Sequence, residues 1–250
     1  MTSDPAGNLY GATYSGGTYG NGTVFELTPK AGGRWTEKIL HSFSYGKGGY
    51  SPNPGLILDA VGNVYGTTIE GGSQKPATGT ASELTPEAGG RWAEKVLHSF
   101  GADKGGGIPS AGMIFDGVGN LYGTTAFGGA YDEGTVFELT PRAGGGWTEK
   151  LLHSFGKNTD GFMPLVSLAL DAAGNLYGAT NGGGTYGYGT VFELTPKAGG
   201  GWTEKVLHSF GNNADGSSPS GVVLDTAGNL YGTTSTGGAY NRGTVFEITP

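Results

Sequence analysis

The chain contains no cysteine and little charge, and no apolar stretch in it approaches the length of a membrane span. The missing cysteines exclude disulfides and cysteine-ligated zinc. Lysine and arginine number 14 against 21 aspartates and glutamates, so the net charge is −7. Because an acidic surface does not attract polyanions, we expect no nucleic-acid partner. The first residues lack the charged and apolar pattern of a signal peptide, so we expect none in this sequence, and we expect no membrane insertion.

Glycine, in contrast, is abundant, with 53 Gly and 12 Pro among 250 residues. The glycines recur at fixed offsets beside aromatic and β-branched residues, so they indicate turns in an ordered fold and not a low-complexity chain. The pentapeptide "GNLYG" or "GNVYG" begins at five positions that are 54 to 57 residues apart, namely Gly7, Gly62, Gly119, Gly174 and Gly228. The sequence is therefore a tandem repeat.

Each repeat holds four short runs rich in apolar, aromatic and β-branched residues, with Gly, Pro, Asn and Asp clusters between them. Tight connections such as "DAAGN" require hairpins, so the pattern predicts four antiparallel strands per repeat. In the fourth repeat these are strand A ("LALD"), strand B ("NLYGAT"), strand C ("GTVFELT") and strand D ("WTEKVLHSF"). No segment shows a sustained helical period.

Four antiparallel strands repeated about every fifty residues predict an all-β fold, a β-propeller of four-stranded blades with strand A innermost. A β-helix is the alternative, which the hairpins disfavour. We expect a single domain over residues 1–250 with five blade positions, in repeat units 1–54, 55–111, 112–166, 167–220 and 221–250. The first repeat shows no full strand A and the last no strand D, which predicts incomplete terminal blades. Their unpaired edges favour association into a homo-oligomer.

The motif "D-x-x-G-N-L-Y-G-T-T", followed by a glycine pair and "G-T-V-F-E-L-T-P", resembles the Gloeo/Verruco-type tandem repeat of secreted bacterial proteins. More distantly, the A–B hairpin is similar to those of NHL, two-component-regulator and streptogramin-lyase propellers. The resemblance covers essentially the whole chain and implies a secreted or cell-surface location, but no particular activity. The second repeat departs from the motif at Ala81 and Ser82, where Val and Phe are expected. We therefore expect this repeat to be packed less well.

The polar residues that recur in the repeats are interpreted as architecture. An aspartate precedes each "GN" turn, where its carboxylate can accept backbone N–H groups. One histidine recurs on each strand D, and repeat-equivalent residues on outer strands diverge, so they do not converge on a metal or an acid–base pair. We expect no catalytic residue, no metal and no cofactor. At Asp160 and Asp215, each before a glycine, a turn is favoured over a calcium site.

The connections differ between the two ends of each blade. The A–B and C–D turns, at what we call the turn end, are short and nearly identical among the repeats. The D–A and B–C connections, at the loop end, are longer and varied, and they carry many aromatic residues. Tyrosine rings can stack on sugar faces while their hydroxyls form hydrogen bonds, and the same surface can contact a protein. The predicted ligand-binding residues are Tyr14, Tyr19, Tyr131, Phe162, Tyr186, Tyr188 and Tyr240.

The sequence thus favours a non-catalytic binding or scaffolding module, secreted or on the cell surface, with a glycan or protein ligand at the loop end. Two alternatives stay open. One is an enzyme like the streptogramin lyases, in which His and Glu residues of different blades meet at the axial channel. The other is a self-assembling protein whose incomplete terminal blades pair with other copies.

Overall fold

The computed structural model describes residues 1–101, 105–211 and 215–249. Regular structure in these residues is entirely β, with 21 strands in five antiparallel sheets. The described chain has no helix that is long and apolar enough to cross a membrane. Each sheet has the strands of one repeat, and the second, third and fifth sheets also include the last residues of the preceding repeat unit, 50–52, 107–109 and 217–220. The fold is therefore the all-β, five-bladed propeller class that the repeats predict.

The chain forms two compact units. The first comprises Met1–Ala102, Ile108–Met113 and Arg142–Trp147. The second comprises Asp103–Gly107, Ile114–Pro141 and Thr148–Pro250. The first two sheets belong to the first unit, and the fourth and fifth sheets belong to the second.

The first sheet consists, in spatial order, of β1 (Thr2–Ser3), β2 (Leu9–Thr13), β3 (Thr23–Lys30) and β4 (Arg34–Ser42). The second sheet consists of β5 (Tyr50–Pro52), β6 (Ile57–Leu58), β7 (Val64–Glu70), β8 (Ala77–Pro86) and β9 (Trp92–Gly101). In the second sheet β5 and β6 both pair with β7. In the first sheet β1 takes the place of strand A. Its two residues pair with Leu9 and Tyr10. The sequence did not predict this strand, because it is so short.

The third sheet consists of β10 (Gly107–Pro109), β11 (Ile114–Phe115), β12 (Leu121–Phe127), β13 (Thr135–Pro141) and β14 (Trp147–Ser154). The fourth consists of β15 (Ala169–Leu170), β16 (Leu176–Thr180), β17 (Thr190–Pro196) and β18 (Trp202–Ser209). The fifth consists of β19 (Ser217–Leu224), β20 (Leu230–Thr236) and β21 (Val245–Ile248). The described part of the fifth sheet lacks a strand D, as the sequence predicts.

Strands B and C pair in the same register throughout, and the glycine of "NLYG" faces the phenylalanine of "TVFE". In the fourth sheet Gly178 is opposite Phe192. A Cβ atom at Gly178 would lie only 2.5 Å from Cζ of that ring. The glycine is therefore needed to let the phenylalanine lie flat over strand B and enter the core.

The second blade lacks this ring, because Ser82 is opposite Gly66. Leu56 fills part of the space, with Cδ2 at 2.7 Å from a Cβ built on Gly66. A cavity of about 10 Å³ remains, which is lined by Val24, Phe43, Pro52, Leu56, Val64, Gly66, Thr67, Thr68, Ser82 and Leu84. Such a volume holds about one water. The cavity lies beside Ser82, in the repeat for which looser packing is expected.

The hydrophobic cores lie between neighbouring sheets within each unit. In the first unit the cluster consists of Tyr10, Val24, Leu40, Phe43, Leu56, Val64 and Leu84. In the second unit the rings of Phe155 and Phe192 are 4.9 Å apart, and those of Phe210 and Phe246 are 5.0 Å apart. Burying each such side chain contributes about 1.5–3 kcal/mol, so adjacent blades stabilise one another.

Candidate functional site

The aspartate that precedes each "GN" turn organises the hairpin at the turn end. In the fourth blade, Asp171 Oδ1 accepts the backbone N–H groups of Ala173 at 2.9 Å and Asn175 at 2.8 Å. Its Oδ2 accepts the Asn175 side chain at 2.8 Å and the Tyr177 hydroxyl at 3.2 Å. The structural interpretation of this aspartate is confirmed.

This network also fixes the protonation states of its members. Burial alone would raise the pKa of Asp171, but the hydrogen bonds from Asn175, Tyr177 and Ala173 together hold it below its usual value. Burial, and then the charges of Glu193 and Asp171, raise the pKa of Tyr177 to about 12. At neutral pH the aspartate is therefore ionised and the tyrosine protonated, as a structural network requires. The same contacts occur at Asp4–Tyr10–Glu26, Asp59–Tyr65–Glu83, Asp116–Tyr122–Glu138 and Asp225–Tyr231–Glu247.

Asp160 and Asp215 close the D–A loops of the second unit onto strand D. Asp160 Oδ2 lies 3.1 Å from His153 Nε2, and Oδ1 accepts the Gly156 N–H at 3.2 Å. Asp215 makes the same contacts, at 2.9 Å to His208 and 2.8 Å to the Gly211 N–H. Both carboxylates hold their loops, in agreement with the turn interpretation.

In the first unit a glutamate of strand D faces the histidine of the preceding blade, an arrangement that the sequence analysis missed. In the first unit His41 Nε2 is 3.7 Å from Glu94 Oε2. Burial raises the pKa of Glu94 to about 7, although a hydrogen bond from Ser82 acts in the opposite direction. Burial also lowers the pKa of His41. The sequence shows a glutamate and a histidine at constant spacing in "WTEKxLHSF". Only the structure shows that the glutamate of one blade meets the histidine of the blade before it.

In the second unit a groove lies between strand D of the third blade and strand D of the fourth. It has a volume of about 240 Å³ and is lined by His153, Lys157, Asn158, Thr159, Asp160, Glu204 and Val206. Burial, and then the charge of Asp160, raise the pKa of Glu204 to about 7. Its Oε1 atom is buried and has no hydrogen-bond partner among the described residues. Within that same part of the chain, no group of three or more His, Asp or Glu side chains is arranged to hold a metal ion.

The loop end is built on a fixed frame that the sequence analysis did not recognise. Every described D–A loop ends in Gly-x-x-Pro, and the residue before the proline has a positive φ, between 52° and 56°: Ser51, Ile108, Met163 and Ser218. Such a φ is uncommon outside glycine. In three of these loops the backbone N–H of this residue donates to a carbonyl in the B–C loop of the preceding blade, from Ser51 to Asn21 at 2.9 Å, from Met163 to Glu133 at 2.9 Å and from Ser218 to Tyr188 at 2.8 Å.

A glycine in each B–C loop completes this frame. At Gly134 φ is +102°, and a Cβ would lie 2.5 Å from Pro164 Cδ and 2.6 Å from the Thr125 carbonyl. Next to it, the hydroxyls of Thr125 and Thr135 are hydrogen-bonded at 2.7 Å. Parts of two expected D–A loops, residues 102–104 and 212–214, lie outside the described residues. The described loops are thus held by backbone and threonine contacts, whatever their variable side chains are.

All seven predicted binding residues are at the loop end and exposed, by 36% at Phe162 to 88% at Tyr240. In the second unit the Cβ atoms of Tyr131 and Tyr186 lie beside the glycine that follows strand D, Gly156 and Gly211, and the ring of Tyr188 lies over Gly211. Phe162 packs on Gly182 and Gly183. The rings of Phe162 and Tyr188 are thus supported on one side, and all seven side chains leave surface open to solvent. Their role in binding stays a prediction.

The first unit groups three tyrosines at the junction of its two blades, Tyr14 and two residues outside the predicted set, Tyr45 and Tyr50. We call them the tyrosine cluster. The rings of Tyr45 and Tyr50 are 4.7 Å apart at an interplanar angle of 70°. The pKa of Tyr50 is raised first by its hydrogen bond to Glu70, then by burial, and then by the charges of Glu70, Tyr45 and Tyr14. Glu70, Tyr45 and Tyr14 therefore all lie near the Tyr50 hydroxyl.

Comparison with known proteins agrees with this architecture. The family model described as the Gloeobacter/Verrucomicrobia repeat matches residues 1–172 and 77–250. No curated protein matches the sequence. Among solved structures, a gluconolactonase from Xanthomonas campestris is similar with a TM-score of 0.52 and 15% identity, over 91% of this chain and 65% of that one. A protein of unknown function from Dyadobacter fermentans is similar with a TM-score of 0.53 and 12% identity, over 92% of this chain and 72% of that one.

At such identities these two similarities show the fold alone, because one propeller scaffold carries many unrelated functions. The chain also spans less than two thirds of the length of the Xanthomonas protein.

Proposed function

Since the chain belongs to the Gloeobacter/Verrucomicrobia repeat family, we propose that it is a non-catalytic binding module, secreted or on the cell surface, with a glycan or protein ligand at the loop end. The observation that carries this proposal is the set of exposed tyrosines on loops that the Gly-x-x-Pro frame holds in place. A rigid loop loses little conformational entropy on binding, so its aromatic side chains can contribute more of their contact energy to affinity.

The electrostatics of the turn end disfavour catalysis there. The hairpin carboxylates there are held by hydrogen bonds, and the tyrosines they contact have raised pKa values. Neither group is poised to exchange a proton near neutral pH. The loop end, in contrast, offers aromatic faces and hydroxyls, which are the groups that recognise sugars and protein surfaces.

The proposal is tested by replacing Tyr131, Tyr186 and Tyr240 together by alanine and screening wild type and variant on a glycan array and in pull-downs. We expect binding to be lost while the melting temperature changes little, because exposed side chains contribute little to the cores. The control is Lys30→Ala with Lys197→Ala at the turn end, which should bind like wild type. A triple variant that binds as wild type does would contradict the proposal.

Repeat-equivalent tyrosines on successive blades also predict several weak, similar sites. A polysaccharide that engages more than one of them should bind more tightly than a single sugar unit, through avidity and without new contacts. Titration calorimetry with monomeric and polymeric forms of the same sugar measures this difference. Equal affinities with one molecule bound per chain would speak against multiple sites.

The second candidate function is an enzyme. It is favoured by the titratable groups that lie between the D strands of neighbouring blades. His41 faces Glu94, and Glu204 lies beside Asp160, each glutamate with a pKa raised to about 7. Perturbed carboxyl and imidazole groups of this kind are common in acid–base catalysis. An enzyme would show turnover of a lactone or ester substrate that follows a pH profile with a pKa near 7 and is lost in Glu204→Gln. If turnover is lost in the tyrosine variant and kept in Glu204→Gln, the grooves are not the site.

A further inference from the structure

We propose that the tyrosine cluster and Glu70 form a subsite for one neutral sugar ring of a glycan chain. The inference rests on the proposed binding function and deepens it, by naming the ligand class and a principal site in the first unit. The sequence suggested equivalent sites on every blade. The structure instead concentrates aromatic side chains from two loops at the junction of the first and second blades.

The backbone at this junction is fixed before any ligand arrives. Tyr50 and Glu70 are partners in the ladder between β5 and β7. The next residue, Ser51, donates its backbone N–H to Asn21 at 2.9 Å, and its hydroxyl is 3.5 Å from Glu70 Oε1. The Tyr50 ring and the carboxylate are therefore held side by side, and a ligand does not have to order them.

The tyrosine cluster presents open ring faces. Tyr14 is 60% exposed and Tyr45 is 75% exposed. Because Tyr45 and Tyr50 meet edge to face, one ring supports the other without covering its outer face. A pyranose ring has an apolar C–H face that can stack on such a surface.

Glu70 supplies the polar half of the subsite. A carboxylate has about four lone-pair positions, and the contacts with Tyr50 and Ser51 leave acceptor capacity for sugar hydroxyls. The carboxylate also adds to a net charge of −7, so an anionic sugar would be repelled. The chemistry fits a neutral glycan.

The size of the cluster favours a glycan over a protein. A tyrosine offers about 150–250 Å² at most, so three partly exposed rings present a few hundred Å², against about 800 Å² per partner in a standard protein interface. One sugar ring, in contrast, is matched in size by one or two aromatic side chains.

The experiment is native gel electrophoresis of the full chain in gels that contain hydroxyethylcellulose, xylan, dextran or the anionic polygalacturonate. We expect retardation by at least one neutral polymer and none by the anionic one. Tyr14→Ala with Tyr45→Ala should raise the apparent dissociation constant at least about tenfold. The control is Val61→Ala with Val118→Ala, two exposed residues of the turn end, which should bind like wild type. Glu70→Gln, which keeps the size of the side chain, should weaken binding by an intermediate factor.

Nitration of wild-type tyrosines, read by mass spectrometry, gives an answer that does not depend on variants folding. The neutral polymer should protect Tyr14 and Tyr45, and retardation without protection of either residue would overturn the subsite. Retardation that is lost in the Tyr131, Tyr186 and Tyr240 variant and kept in the Tyr14 and Tyr45 variant overturns the subsite and leaves the binding function standing. Displacement by millimolar tetramethylammonium overturns it in favour of an organic cation. If no neutral polymer retards the wild type, the subsite and the glycan form of the proposed function both fail.

Discussion

The junction between the first and second blades, in the first unit, and that between the third and fourth, in the second unit, have the same backbone contacts. Ser51 and Met163 occupy the same left-handed conformation and donate to the preceding B–C loop at the same distance, 2.9 Å. The side chains beside them differ, since Tyr50 contacts Glu70, whereas Phe162 packs on glycines. Because the backbone and not the side chains holds the loops, the surface can vary without loss of the fold.

The polar groups between the D strands of neighbouring blades also differ between the two units. Glu94 faces His41 and accepts a bond from Ser82, which stands where the other blades have phenylalanine. Glu204 instead lies near Asp160, whose equivalent in the first unit is Gly48. Both carboxyl groups reach a pKa of about 7, one through burial alone and the other through burial and a neighbouring charge.

The largest effect is expected where the two junctions are the same. Gly22→Ala and Gly134→Ala should each destabilise the protein by at least about 3 kcal/mol, because the new methyl group meets the proline and a carbonyl at a positive φ. The free energy of unfolding in urea measures the loss. At Gly7 and Gly119 φ is also positive but nothing lies within 4 Å of a Cβ, so alanine there should cost only about 1 kcal/mol of backbone strain. Unequal losses at Gly22 and Gly134 would show that the frame is not shared.

The second effect separates the two grooves by their dependence on pH. The folded pKa of Glu94 is raised to about 7, so the folded state binds a proton more tightly than the unfolded chain does. The penalty for ionised Glu94 is therefore complete above pH 7 and disappears as the pH falls towards the ordinary value of 4.5. Glu94→Gln should stabilise the protein by about 1–3 kcal/mol at pH 8 and have little effect at pH 5.

Glu37, the exposed equivalent of Glu94 in the first blade, is the matched control, and Glu37→Gln should change the stability at neither pH. His41 acts in the opposite sense, because its lowered pKa removes stability as the pH falls below about 6.5. Because His41 is present in both proteins, most of its contribution cancels when the unfolding free energy of the Glu94 variant is compared with that of wild type. In the second unit, Asp160→Asn should lower the pKa of Glu204 and leave that of Glu94 unchanged, as NMR titration would show. A shift at both glutamates would contradict separate causes.

The repeats were sufficient to predict the strands, their order and the bonds of each hairpin aspartate to the turn backbone, since all of these depend on contacts within one repeat. Asp171 and Asn175, for example, are four residues apart. The bond from the Tyr177 hydroxyl to the same aspartate was not predicted. The pairing of His41 with Glu94 and the contacts of Ser51 were not predicted, because they join neighbouring blades and depend on how the sheets pack. The Gly-x-x-Pro motif was visible in every D–A loop, but only the structure shows that the residue before the proline has a positive φ. The tyrosine cluster was missed in part for the same reason, as Tyr14 and Tyr45 come from separate loops.

The smallest of the three effects concerns the hairpins, where the two units should not differ. Asp59→Ala in the first unit and Asp171→Ala in the second each remove four hydrogen bonds to the same groups, two backbone N–H groups, an asparagine side chain and a tyrosine hydroxyl. Each substitution should destabilise the protein by about 1–2 kcal/mol, because a capping carboxylate is lost at a partly buried turn and the tyrosine keeps its glutamate. Asp225 makes the same bonds in an exposed turn, where water can replace it, so Asp225→Ala should cost less. Thermal unfolding of the three variants measures this order, and a loss at Asp225 as large as that at Asp171 would mean that burial does not set the strength of the network.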